Sequence, residues 1–126
     1  MKDNKIVVNQ VVKYGGHSLS ANGSVNLTLK AAYSELVGTM KMTQMLNNDV
    51  IVKARVPNIK PMKLGMFRLK SINIDGDGES TIKLNGLNDY IEMDNLNMLP
   101  TKGEDVELFT VRYEVIIEED EDGGED

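Results

Sequence analysis

The chain contains no cysteine and no tryptophan, and it has one histidine and three prolines in 126 residues. Without thiols it has neither a disulfide framework nor a thiolate metal site. At this length one domain can bury a real core without such staples. No apolar segment approaches the ~20 residues that span a bilayer. No apolar run follows residues 1–5, so no signal peptide is read, and a cytoplasmic protein without membrane contact is expected. Aromatic residues are few: Tyr14, Tyr33, Phe67, Tyr90, Phe109 and Tyr113. Strand–glycine–helix phosphate loops are also missing, because Gly15-Gly16 and Gly76/Gly78 lack the following Lys-Ser/Thr.

Charge is unevenly distributed. The formal net charge is −6, yet the last nine residues carry seven acids. The other 13 acids face 14 Lys and Arg, leaving residues 1–117 near +1. The expected layout is a near-neutral globular domain over residues 1–117 and a disordered acidic tail over residues 118–126.

Alternating apolar residues supply most of the fold reading. Residues 5–14 and 24–30 read as an antiparallel pair, with Val25, Leu27 and Leu29 on one face. Residues 15–23 between them read as a turn-rich loop. Residues 33–46 are the single helix candidate, with Ser34 as N-cap and Leu36, Val37 and Met40 at helical spacing. A strand over 39–46 is the rival, since Met40, Met42 and Leu46 would share a strand face. Residues 50–56 alternate Val50, Val52, Ala54 and Val56 against Ile51, Lys53 and Arg55. Residues 64–85 then read as a hairpin about Asp75-Gly76-Asp77-Gly78. Phe67 and Leu69 have one parity and Ile72 and Ile74 the other, which predicts a bulge near Lys70 or Ser71 or a strand covered on both faces. Residues 90–93 read as a short strand or helical turn, and residues 106–117 as the last, centrally placed strand. The fold class is therefore α+β, a mainly antiparallel sheet of about six strands with one helix.

No catalytic or cofactor kit emerges. Asn73, Asp75, Asp77 and Gly78 imitate the start of a calcium loop, but its twelfth position falls on Leu84 where a bidentate Glu is required. The hairpin turn accounts for these residues, so no metal site is assigned. His17 lies beside Ser18 and Ser20 without a nucleophile-elbow context and reads as an exposed loop histidine. No enzyme activity and no cofactor are expected.

Basic residues on strands are more suggestive. Lys53 and Arg55 project from one strand and Arg68 and Lys70 from another, with Lys60 and Lys63 between. If these strands pair, the six form one nucleic-acid-binding face, for which Tyr14, Tyr33 and Tyr90 are the candidate stacking platforms. The acids Glu118, Glu119, Asp120, Glu121 and Asp122 are the candidate partner-binding tail, engaging a basic protein or competing with nucleic acid. A methionine-containing patch, drawn from Met40, Met42, Met45, Met93 and Met98, is expected to form a subunit or partner interface.

The neutral β body with an acidic C-terminal tail resembles small phage-encoded single-strand-binding proteins. The resemblance covers architecture and charge only. The helix follows the second strand rather than the third, as it would in an OB-fold, and the tail lacks a terminal apolar anchor. It implies a non-enzymatic, nucleic-acid-associated accessory protein whose ligand is single-stranded nucleic acid. The rival expectations are an acidic inhibitor or adaptor of the anti-defence type and a structural subunit of a homo-oligomer.

Overall fold

The computed structural model describes residues 3–57, 60–99 and 108–118. Six strands make up the sheet: β1 (Asp3–Leu19), β2 (Ser24–Ala31), β3 (Asp49–Arg55), β4 (Met62–Ile74), β5 (Ser80–Leu87) and β6 (Phe109–Glu118). Every pairing is antiparallel, and the order β1-β2-β5-β4-β3-β6 closes on itself as a barrel. Closure removes the open edges that a flat sheet of this size would leave. β6 pairs with β1 on one side and β3 on the other, so the longest alternating run of the sequence is flanked on both sides.

Alternation decides which side chains fill the interior. Val25, Leu27 and Leu29 of β2, Val50, Val52 and Ala54 of β3, and Phe109, Val111, Tyr113 and Val115 of β6 all point into one buried cluster. Their sequence neighbours Lys30, Lys53 and Arg55 point outward. An apolar interior with a charged exterior is the reverse of a membrane-spanning barrel. Among the described residues no helix is long and apolar enough to cross a membrane.

Two bulges adjust the long strand β4. One lies where Val52 pairs with Gly65 but Lys53 pairs with Lys63, and it lets both Leu64 and Phe67 face inward. The second is at Lys70, between Leu69 and Ser71, where a parity change was expected. The β4–β5 turn is held by the Asp75 carboxylate, whose Oδ1 accepts from the amides of Asp77 (2.9 Å) and Glu79 (3.1 Å). That oxygen therefore holds the turn.

Residues 15–23 differ from the loop expected. β1 continues through Gly15 and Gly16 to Leu19 and pairs with β2 again at His17–Leu27. Two glycines look like a loop in sequence. Here they form a bulge: Gly16 has φ +109°, and a Cβ on Gly15 would lie 2.9 Å from the Thr28 carbonyl oxygen. Only residues 20–23 turn the chain.

The segment joining β2 to β3 is helical, not a strand. A 3₁₀ turn (Tyr33–Glu35) leads into α1 (Leu36–Met42), and a second 3₁₀ turn (Thr43–Met45) follows. Thr39, Met42 and Met45 are buried. Gln10, a buried polar side chain of β1, donates to Thr39 Oγ1 at 2.7 Å and accepts from the Tyr113 hydroxyl at 3.4 Å. This pairing fixes the helix against the barrel without leaving a buried amide unsatisfied. Ser34 makes no capping hydrogen bond; Ala32 and Glu35 occupy the cap positions. Between β5 and β6, a 3₁₀ turn (Asn88–Tyr90) and a single helical turn α2 (Met93–Leu96) pack over β4.

Candidate nucleic-acid interface

Each of the basic residues singled out from the sequence is exposed, and β3 and β4 do pair. The register sets Lys53 directly opposite Lys63, and on its other side Lys53 faces Arg112 of β6. Three cations thus lie in a row across β4, β3 and β6. Like charges in direct register oppose each other and cost stability. Arg55 continues the outward row of β3, and Lys60 sits in the connection just before β4. Arg68 and Lys70 extend the same exposed row along β4 beyond Met66.

Arg112 was missed in the sequence. It sits inside the most regular core strand, and only the β3–β6 register brings it beside Lys53. Glu114 tempers this row. Its Oε2 accepts from Arg112 Nε at 2.9 Å and its Oε1 lies 3.5 Å from Lys5 Nζ. The Arg112 hydrogen bond, aided by Lys5 and Lys53 and opposed by burial, holds the Glu114 carboxyl below its usual range. Among the described residues, no carboxylate lies within ion-pair distance of Lys53, Arg55, Lys60 or Lys63.

At the far end of this row is a groove of about 580 Å³, lined by Asp49, Met66, Arg68, Lys70, Asn85, Gly86, Leu87 and Tyr90. Asp49 accepts from Arg68 Nε at 3.3 Å. A second groove of about 470 Å³ shares Lys70 and Asn85 with the first and continues over Lys83, Thr28 and Asn26. Asn85 Nδ2 donates to Asn26 Oδ1 at 2.8 Å, tying the two strands at the junction. Lys83, Asn85 and Asn26 were not read as site residues, since each sits singly at an outward position of an ordinary amphipathic strand.

The chain matches no known family model and no curated protein.

The three tyrosines proposed as platforms have separate fates. Tyr90 is 64% exposed and lines the groove. Tyr33 is exposed too, but its ring lies against Gly78 of the β4–β5 turn, away from the basic row. Tyr14 is no platform, because its parity turns it into the core. Its hydroxyl pairs with His17 Nδ1, and His17 Nε2 lies 3.2 Å from Asn97 Oδ1. His17 is therefore a half-buried strand residue tying β1 to the segment after α2, which corrects its reading as an exposed loop histidine. Burial pushes the Tyr14 phenol up, with the His17 bond opposing.

The five methionines of the expected patch divide: Met42 and Met45 are fully buried and Met93 is half-buried against the core, whereas Met98 is exposed and Met40 is exposed beside Val37 and Tyr33 on the outer stripe of the helix. Of the tail acids, Glu118 is the last residue of β6 and pairs in register with Asp3. Glu119, Asp120, Glu121 and Asp122 lie outside the described residues.

Proposed function

We propose that this protein is a non-enzymatic nucleic-acid-binding accessory protein that engages phosphates through the outer face of β3 and β4. The observation that carries the reading is the β3–β4–β6 register, with Lys53 between Lys63 and Arg112. Such a row is unfavourable by itself and favourable once an anionic polymer lies across it. Arg55 and Lys60 widen the row, and Arg68 and Lys70 lengthen it along β4. The distribution of charge agrees: the six strands carry ten Lys and Arg against four acids, Asp3, Asp49, Glu114 and Glu118, while Asp75, Asp77, Glu79, Asp89, Glu92 and Asp94 lie in turns and connections.

Fluorescence anisotropy with labelled oligonucleotides over a salt series tests this reading. Affinity is expected to fall linearly with log salt concentration. The double reversal Lys53→Glu/Lys63→Glu removes two phosphate contacts and lowers the slope by about 1.4 on a single-stranded ligand. Absence of binding at low salt, or unchanged affinity and slope in the double variant, refutes it. By charge alone the acidic C-terminal run competes for the same surface, so removing residues 119–126 is expected to tighten binding.

A further inference from the structure

Among the exposed aromatic side chains near the basic row, Tyr90 alone is anchored by an elaborate local fit. Gly65 in β4 has φ +130°, and a Cβ there would lie 2.5 Å from the Tyr90 carbonyl oxygen and 2.7 Å from Ile91 Cα. On the neighbouring strand a Cβ on Gly86 would lie 2.8 Å from Ile91 Cδ1. Two glycines on paired strands thus open a notch, and Ile91 fills it, 6% exposed. The segment is also tied by backbone hydrogen bonds from Asn88 N to Gly23 O (2.9 Å) and from Glu92 N to Leu64 O (2.9 Å). Burying Ile91 and fixing both flanks leaves the intervening Tyr90 ring held in the open.

What surrounds the ring identifies what it would meet. Met66 (42% exposed) and Leu87 (53% exposed) supply apolar surface beside it. Arg68 and Lys70 flank the groove with positive charge, and Asp49 takes up only Nε of the Arg68 guanidinium. Asn85 spends one amide N–H on Asn26, and its Oδ1 accepts from no described donor. A flat, heteroaromatic, hydrogen-bonding group linked to an anion fits this set: a nucleobase on its phosphate backbone. The volume is in the range of sites that enclose small ligands.

We infer that the groove binds an unpaired nucleobase stacked on Tyr90, so that the protein selects single-stranded over duplex nucleic acid. The inference rests on the reading of the β3–β4 face as a phosphate-binding surface. A base in a duplex is stacked on both sides and cannot lie on Tyr90, whereas an unpaired base can. Phosphates on either side of that base then meet Arg68 and Lys70, and the chain of nucleotides continues toward Lys63 and Lys53 along β4.

Three ligands of equal length separate the inference from the reading beneath it: a single-stranded oligonucleotide, the same backbone carrying abasic sites throughout, and a duplex. The native chain is expected to bind the base-bearing strand roughly tenfold to a hundredfold more tightly than the abasic one, the range for one or more stacked bases. Tyr90→Ala should abolish that preference and leave abasic-strand affinity and its salt slope unchanged. Tyr90→Phe should retain it, because the ring is kept. Equal binding of all three ligands by the native chain overturns the base-stacking groove while leaving the phosphate face standing. A preference that survives in Tyr90→Ala likewise overturns it. Failure of every ligand to bind overturns both.

Discussion

Gly65→Ala is the sharpest test of how the candidate site is built. The substitution adds one methyl group at a backbone φ of +130°, which L-residues rarely adopt. That conformation alone costs on the order of 1–3 kcal/mol. The new methyl also overlaps the backbone of Tyr90 and Ile91, at 2.5 and 2.7 Å, and backbone cannot swing aside as a side-chain tip can. Relief requires the 88–92 segment to lift, which breaks the Glu92 N–Leu64 O bond and costs about another 1 kcal/mol. The sum is about 2–4 kcal/mol. With a urea m-value of about 2 kcal/mol/M, the unfolding midpoint should drop by about 1–2 M. Gly76→Ala is the matched control, since nothing lies within 4 Å of a Cβ there and its φ is not positive. It should change the midpoint by less than about 0.5 M. The groove should suffer as well, so Gly65→Ala should lose single-strand preference even at low temperature, where it remains folded. Equal midpoints for the two alanine variants would refute the notch.

Other outcomes follow from the interior and the charged face. Ser80 Oγ is buried with no hydrogen-bond partner among the described residues, so Ser80→Ala should stabilise the protein by about 1 kcal/mol in the same urea assay; clear destabilisation would mean the hydroxyl is satisfied after all. Glu114 has a depressed carboxyl pKa when folded, so its contribution is present above the ordinary carboxylate range and is lost as pH falls through the lower folded value. Glu114→Gln should therefore flatten the loss of stability below about pH 4.3, and an unchanged acid limb would sink that assignment. Burial raises the Tyr113 phenol far above its ordinary value. Stability linked to it is present below about pH 10 and lost above, so Tyr113→Phe should leave the alkaline absorbance titration of the native protein unchanged up to the onset of unfolding.

Much of the fold was legible because period-two alternation is a local property. β2, β3, β5 and β6 announce their buried faces residue by residue, and the Asp75-Gly76-Asp77-Gly78 turn fixes the β4–β5 register within a few positions. The Lys70 bulge was visible for the same reason, since a change of parity between Leu69 and Ile72 needs an extra residue. The bulge at Leu64–Gly65 was not anticipated. Leu64 and Phe67 differ in parity too, but Met66 shares the parity of Leu64, and only the pairing of Val52 and Lys53 shows where the shift lies. Gly15 and Gly16 misled because a glycine pair signals a turn and a strand bulge alike, and only the return of pairing at His17–Leu27 separates the two.

The candidate site divides along the same line. The amino-acid sequence alone determined that Lys53, Arg55, Arg68 and Lys70 face solvent, because their neighbours must be buried. It also determined that the acids concentrate at the C-terminus. Which cations share a surface was decided by tertiary structure, since cross-strand register is set by distant pairings and by bulges. That register put Lys63 and Arg112 on either side of Lys53, and barrel closure joined β6 to β1 and β3. Tyr90 is the clearest case. Nothing in its own neighbourhood of sequence distinguishes it from Tyr14 or Tyr33. Gly65 and Gly86, far apart in the chain, must meet across paired strands before a notch exists for Ile91, and only then is the Tyr90 ring held beside Arg68 and Lys70.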